Sequence, residues 1–125
     1  MKGLLGPHAD KIYALLRVVV GLMFACHGGQ KLFGLFGGMP PGVPFFIQYV
    51  GGTIELVGGV LIAIGLFASL AAFISSGMMA VAYFMAHQPN GLLPIQNHGE
   101  PAVLNCFVFL YIAARGSGPY AVRPD

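Results

Sequence analysis

Glu55 stands inside an apolar run covering residues 45–67, and His27 closes another, in which IYALLRVVVGLMFAC leads into HGGQKLFG. A carboxylate and an imidazole are groups that accept and release protons near neutral pH, which makes these two the candidate catalytic residues. An ionised carboxylate in apolar surroundings costs several kcal/mol unless it is paired, hydrogen-bonded or protonated. Glu55 therefore needs a cation, Arg17 from one side or His27 from the other, or it keeps its proton. Arg17, Gln30, Lys31, Tyr83, His87, Asn97 and Glu100 are the candidate ligand-binding residues, supplying charge and hydrogen bonds around the pair. Snorkelling would by itself account for the charges of Lys31 and Arg17, and a buried ion pair that only fixes helix register would account for Glu55.

The elements that must position these groups follow from composition. Of the 125 residues 57% are hydrophobic and only 8% charged, too few charges to clothe a water-soluble domain. The solvent of this chain is lipid, and lipid admits helices because every backbone group must be satisfied internally. Four apolar segments fit that demand, at about 12–33, 45–67, 69–87 and 98–115. The last reaches spanning length only with Asn97–Glu100 and Arg115 at its ends, and a re-entrant segment is the alternative. The expected fold is all-α, one four-helix transmembrane domain over residues 1–125. Lys2, Lys11, Arg17, Arg115 and Arg123 fall at one end and Lys31 alone at the other, so the positive-inside bias makes both termini cytoplasmic. Glu55 and the other candidates, Arg17 apart, then gather toward the outer half of the bilayer.

Spacing sharpens this expectation. Arg17, Gly21, Phe24, Gly28 and Lys31 follow steps of four and three and share one stripe, with His27 at its edge. Gly51, Gly52, Gly58 and Gly59 flank Glu55 at similar spacing, where small residues allow close helix approach and room beside a carboxylate. Ser76, Ala80, Tyr83 and His87 repeat the pattern on the third segment. Ala68 and its neighbours must turn the chain, with Ser69 a candidate N-cap, and Pro101 fits a first helical turn.

Other classes are weakly supported. A net charge of +2 gives no nucleic-acid footprint. Cys26 and Cys106 form no CxxC or zinc spacing, and as residues of apolar runs they read as small hydrophobes before a disulfide. No flavin, nucleotide, haem, Fe–S or metal motif is present.

The segment Arg17-x3-Gly21-x2-Phe24-x2-His27-Gly28-x-Gln30-Lys31-Leu32-Phe33-Gly34 resembles the opening motif of the DoxX family of small four-helix membrane proteins. Glu55-Leu56-Val57-Gly58-Gly59, Met79–Phe84 with His87, and Asn97-His98-Gly99-Glu100 leading into Asn105–Tyr111 are similar to its later signatures. Ala68-Ser69 stands where members often carry Thr-Arg, and His98 where Gly is common. The resemblance implies a redox-linked protein of the cell inner membrane, multi-pass, a subunit or accessory of a quinone-coupled oxidoreductase. It further implies a quinone as ligand, a redox partner protein or a second copy as partner, and no nucleic acid. A non-catalytic anchor or assembly subunit and a small-solute transporter are the alternatives.

Overall fold

The computed structural model describes residues 3–125, and all regular structure among them is helical. Lys2, one of the charges used for orientation, lies outside the described residues. A 3-10 turn over Gly6–His8 leads into α1, Ala9–Phe33. A wide π-helical stretch, Phe46–Gly51, runs into α2, Gly52–Ile64. Helix α3, Ala68–Ala82, continues into a second π-helical stretch, Tyr83–His87. The short α4, Pro94–Asn97, precedes α5, Glu100–Arg115. Among the described residues three helical stretches are long and apolar enough to cross a bilayer: Gly6–Phe33, Phe46–Ile64 and Ala68–Asn90.

The fourth expected segment is shorter than read from sequence. His98 takes a left-handed conformation with φ 61° and Gly99 precedes the helix, so Asn97–Gly99 form a corner. Sixteen residues remain, about 24 Å at 1.5 Å per residue. Pro101 does sit in the first turn of α5. The turn between α2 and α3 also differs from expectation. Gly65 (φ 75°) ends α2, its amide reaching the carbonyls of Leu61 and Ile62, and Phe67 (φ 49°) precedes α3. Only glycine takes the first of these angles without steric penalty. Ser69 is no cap: its hydroxyl donates to the Ala113 carbonyl.

Helix α1 lies directly on α2, backbone to backbone. A methyl group at Gly21 would come within 2.6 Å of the Gly59 carbonyl, and one at Gly59 within 2.5 Å of the Ala25 amide. Gly28 meets the Gly52 carbonyl in the same way at 2.7 Å. Seven-residue spacing of glycines on both helices thus builds one continuous seam, the small-residue contact membrane helices use. Gly51 and Gly58 turn the other way, toward Met78 and Ser75 of α3. Helix α3 packs on α5, and α1 reaches α5 through Phe24 and Phe109, whose rings lie 4.7 Å apart. Ile62, Ala72, Met79 and Ile112 complete the core. Large apolar side chains such as Leu15, Leu22, Val57, Phe73 and Phe107 face outward, as a lipid solvent allows.

Candidate functional site

Glu55 sits nine residues into the stretch that begins at Phe46, about 14 Å along the helix. Its side chain is only 3% exposed and faces α1. The partner is neither Arg17 nor His27 but Lys31, whose ammonium contacts both carboxylate oxygens, with 2.9 Å to Oε2. Lys31 begins two residues before the end of α1, yet it does not snorkel outward; a helical side chain leans toward the N-terminus of its own helix, here down into the bundle. The geometry follows from the glycine seam. Lys31 is three residues beyond Gly28, Glu55 three beyond Gly52, and those two glycines touch. The space the glycines leave beside the carboxylate is therefore taken up by α1.

His27 is exposed and lies within electrostatic reach of Glu55. With Cys26, Gln30 and Phe36 it lines an open groove of about 180 Å³. Gln30 holds the groove's rim by donating to the Gly38 carbonyl at 3.2 Å, which folds the loop after α1 back over the helix. Gln48, not singled out from sequence, donates to the Lys31 carbonyl at 3.3 Å. Its signal was present: Gln48 is seven residues from Glu55 and so on the same helical face.

Tyr83 and His87, in the π-helical stretch after α3, and Asn97, at the end of α4, form a separate cluster. Asn97, 2% exposed, donates to the Tyr83 hydroxyl at 3.0 Å and to the Gly91 carbonyl at 3.1 Å, and accepts from the Gly99 amide at 2.8 Å. His87 Nδ1 is 3.1 Å from the Asn97 carbonyl, so that nitrogen carries the proton. These contacts clasp the corner before α5. Glu100 is exposed at the start of α5, among Leu93, Pro94, Ile95, Val103 and Leu104.

Arg17 belongs to the opposite end. It lies fourteen residues from Lys31 on the same helix, about 21 Å away, and is 1% exposed. Its guanidinium donates to the carbonyls of Ile62 (3.0 Å), Ala63, Ser117, Pro119 (3.2 Å) and Tyr120 (2.9 Å). It thus satisfies the final carbonyls of α2, where a cation also suits the helix dipole, and holds residues 117–120 against them. Tyr13 adds a bond to the Gly116 carbonyl at 2.6 Å. Asp125 receives the Ser117 amide and hydroxyl, both at 2.7 Å, and the Ser69 amide at 3.0 Å. Partial burial would raise the Asp125 carboxyl, but these hydrogen bonds outweigh it and hold the group below the usual carboxylate range.

The expected outer cluster thus divides into a Lys31–Glu55 site with His27 nearby and a Tyr83–His87–Asn97 clasp, with Glu100 exposed apart from both, while Arg17 forms a guanidinium staple at the far end. Cys26 and Cys106 are both free thiols.

The DoxX family model matches residues 12–88. An "Uncharacterized protein" of Haemophilus influenzae is 42% identical over 117 residues, covering 87% of this chain and 86% of that protein. A Bacillus subtilis protein named "Putative oxidoreductase CatD" is 45% identical over 58 residues, covering 42% of each. No solved structure matches.

Proposed function

Because this chain belongs to the DoxX family, we propose that it is a redox-linked protein of the cell inner membrane that handles a quinone or similar small redox-active molecule. In this reading residues 1–125 form one multi-pass domain, with α5 as the fourth span. Lys11, Arg17, Arg115 and Arg123 at one end put both termini in the cytoplasm. The Lys31 end then faces outward, with the ion pair in the outer half of the bilayer.

The observation that carries the proposal is the buried Lys31–Glu55 pair, with an open groove lined by Cys26, His27, Gln30 and Phe36 at the same end of α1. An ammonium has three donors, and the contacts to Glu55 leave one for a carbonyl oxygen. Quinone reduction consumes protons with its electrons. Glu55 and His27 are the groups that would deliver them, while Lys31 would stabilise charge developing on the oxygen. Gln30 would orient the ligand from the groove's rim. Electrons would come from a partner protein or soluble donor. The name of the Bacillus relative, an oxidoreductase matched over part of its length, agrees with this class.

The test is quinone-dependent oxidation of thiosulfate or a thiol by the reconstituted protein. Loss of turnover in Glu55→Gln with unchanged assembly supports the proposal; absence of any quinone reduction by the parent protein, alone or with a copurified partner, removes it. A second reading, a non-catalytic assembly or anchoring subunit, is favoured by one feature: the pair joins α1 to α2 along the glycine seam, where it would also lock register. Copurification with a redox partner whose activity survives Glu55→Gln would select that reading.

A further inference from the structure

A cleft separate from the Lys31–Glu55 site lies between α2 and α3. Ile54, Val57 and Leu61 on one side and Phe67, Leu70 and Ile74 on the other enclose about 320 Å³, a volume within the range of small-molecule sites. Val57, Leu70 and Ile74 are exposed, so the cleft opens sideways onto the lipid. Two of its lining side chains carry oxygen. Thr53 donates its hydroxyl to the Tyr49 carbonyl at 2.7 Å. Ser75, 0% exposed, has no partner, and its Oγ is the one buried side-chain polar atom among the described residues in that condition. The hydroxyl faces the space left by Gly58, which also lines the cleft; a methyl group there would stand 2.9 Å from Oγ. Ser75 is seven residues into the crossing stretch that begins at Ala68, about 10 Å from its end. At that depth water and headgroup oxygens do not reach it, and acyl chains carry no hydrogen-bonding atom. The fold thus leaves one desolvated hydroxyl unanswered beside an open apolar cavity.

We infer that the cleft between α2 and α3 binds a neutral, lipid-soluble molecule with a single hydrogen-bonding oxygen, a hydrocarbon alcohol or ketone, and that this oxygen pairs with Ser75. Each part of the inference follows from the wall. No ionisable side chain lines the cleft among the described residues, so a charged ligand would bring an unpaired charge into hydrocarbon. One unpartnered hydroxyl answers one ligand oxygen, and a second oxygen would itself be left unpaired. A serine hydroxyl donates and accepts, so it serves an alcohol and a ketone alike. At about 30 Å³ for each water-sized group the cavity has room for about ten, which sets a body of about ten carbons. The notch at Gly58 is what lets the oxygen come up to Oγ. The site is distinct from the ion pair, because Glu55 leaves α2 toward Lys31 of α1 whereas the cleft lies against α3. The inference does not rest on the redox reading.

The test uses the full chain in phospholipid vesicles and a ten-carbon alcohol carrying a diazirine, with adducts mapped by mass spectrometry of peptides after illumination. Adducts are expected at Val57, Leu61, Leu70 and Ile74. Unlabelled 1-decanol is expected to displace them at about three- to tenfold lower mole fraction in the bilayer than undecane, an alkane of the same length in heavy atoms without the oxygen. Ser75→Ala is expected to erase that difference while leaving resistance to dodecyl sulfate unchanged or raised, since the hydroxyl has no partner to lose. Ile74→Trp, at an exposed position, is expected to fill the mouth and abolish labelling. Labelling spread equally over outward residues such as Leu15, Leu22 and Phe107 would report solubility in the bilayer alone and overturn the proposal, as would equal displacement by decanol and undecane. A Ser75→Ala protein that unfolds more readily would show that the hydroxyl already has an acceptor within α3, and the pairing with a ligand oxygen would fall. Cross-links between two copies through Val57 and Leu70, in place of alcohol adducts, would make the cleft an interface between copies and overturn it equally.

Discussion

Removing Lys31 should be more harmful than removing Lys31 and Glu55 together. At 2.9 Å the ammonium and Oε2 attract by about 332/(20 × 2.9), roughly 6 kcal/mol, at an effective dielectric of about 20. Taking the two ions out of water costs several kcal/mol each, so the intact pair is close to neutral against an apolar replacement. A single substitution keeps one penalty and loses the attraction. Glu55, 3% exposed and about 14 Å along its helix, would be left as an unpaired buried charge, and Lys31→Met is expected to cost about 3–5 kcal/mol. Glu55→Gln is milder, about 1–2 kcal/mol, because Lys31 starts near a helix end and its stem can carry the ammonium to the surface. The double variant should be more stable than Lys31→Met alone, with a coupling of at least about 1.5 kcal/mol. Unfolding in mixed micelles with increasing dodecyl sulfate, followed by circular dichroism, measures all four proteins. Additivity within about 0.5 kcal/mol would show that the charges do not sense each other, and the account of the site as a buried pair would fail.

Three further outcomes follow from other parts of the fold. Gly59→Ala should separate α1 from α2 and destabilise by about 1–3 kcal/mol in the same unfolding assay, since its methyl meets the Ala25 amide at 2.5 Å; Gly77→Ala, which meets nothing within 4 Å, should be neutral or slightly stabilising. Arg17→Lys keeps the charge but not the planar fork that reaches five carbonyls, and it should cost at least about 2 kcal/mol and free residues 117–120, read as faster amide exchange there. The Asp125 carboxyl is lowered when folded, so its contribution is complete above the ordinary carboxylate value near about 3.9 and is lost as pH falls through the lower folded value. A spin label at Val122 should therefore stay immobile down to about pH 4 and loosen below it, while Asp125→Asn should loosen it at neutral pH.

The helices were legible because lipid demands long apolar runs, and the stripe from Arg17 to Lys31 correctly marked the face of α1 that meets α2. Partners were less legible. Glu55 was expected to find Arg17 or His27, yet Lys31 holds it, because a side chain near a helix end can lean inward as readily as outward and spacing does not record which. Arg17 was expected at the opposite end from the polar cluster yet within reach of Glu55, but fourteen residues separate it from Lys31. Its true acceptors are main-chain carbonyls, which leave no mark in side-chain identity. The corner at His98–Gly99 escaped notice because a left-handed non-glycine residue has no sequence signature of its own; Asn97, which secures that corner from within, was read instead as a ligand-binding group.

The guanidinium staple also sets an order of events during synthesis. Arg17 leaves the ribosome well before its partner, because the Ser117 carbonyl that receives it is made 100 residues later. At about 5–20 residues per second the guanidinium waits roughly 5–20 s for that carbonyl, with the Ile62 and Ala63 carbonyls of α2 satisfying only part of it. Until then the first helices stay in a provisional state that quality-control proteases can sample. Arrival of residues 117–120 is the moment at which the Arg17 guanidinium gains the last of its acceptors.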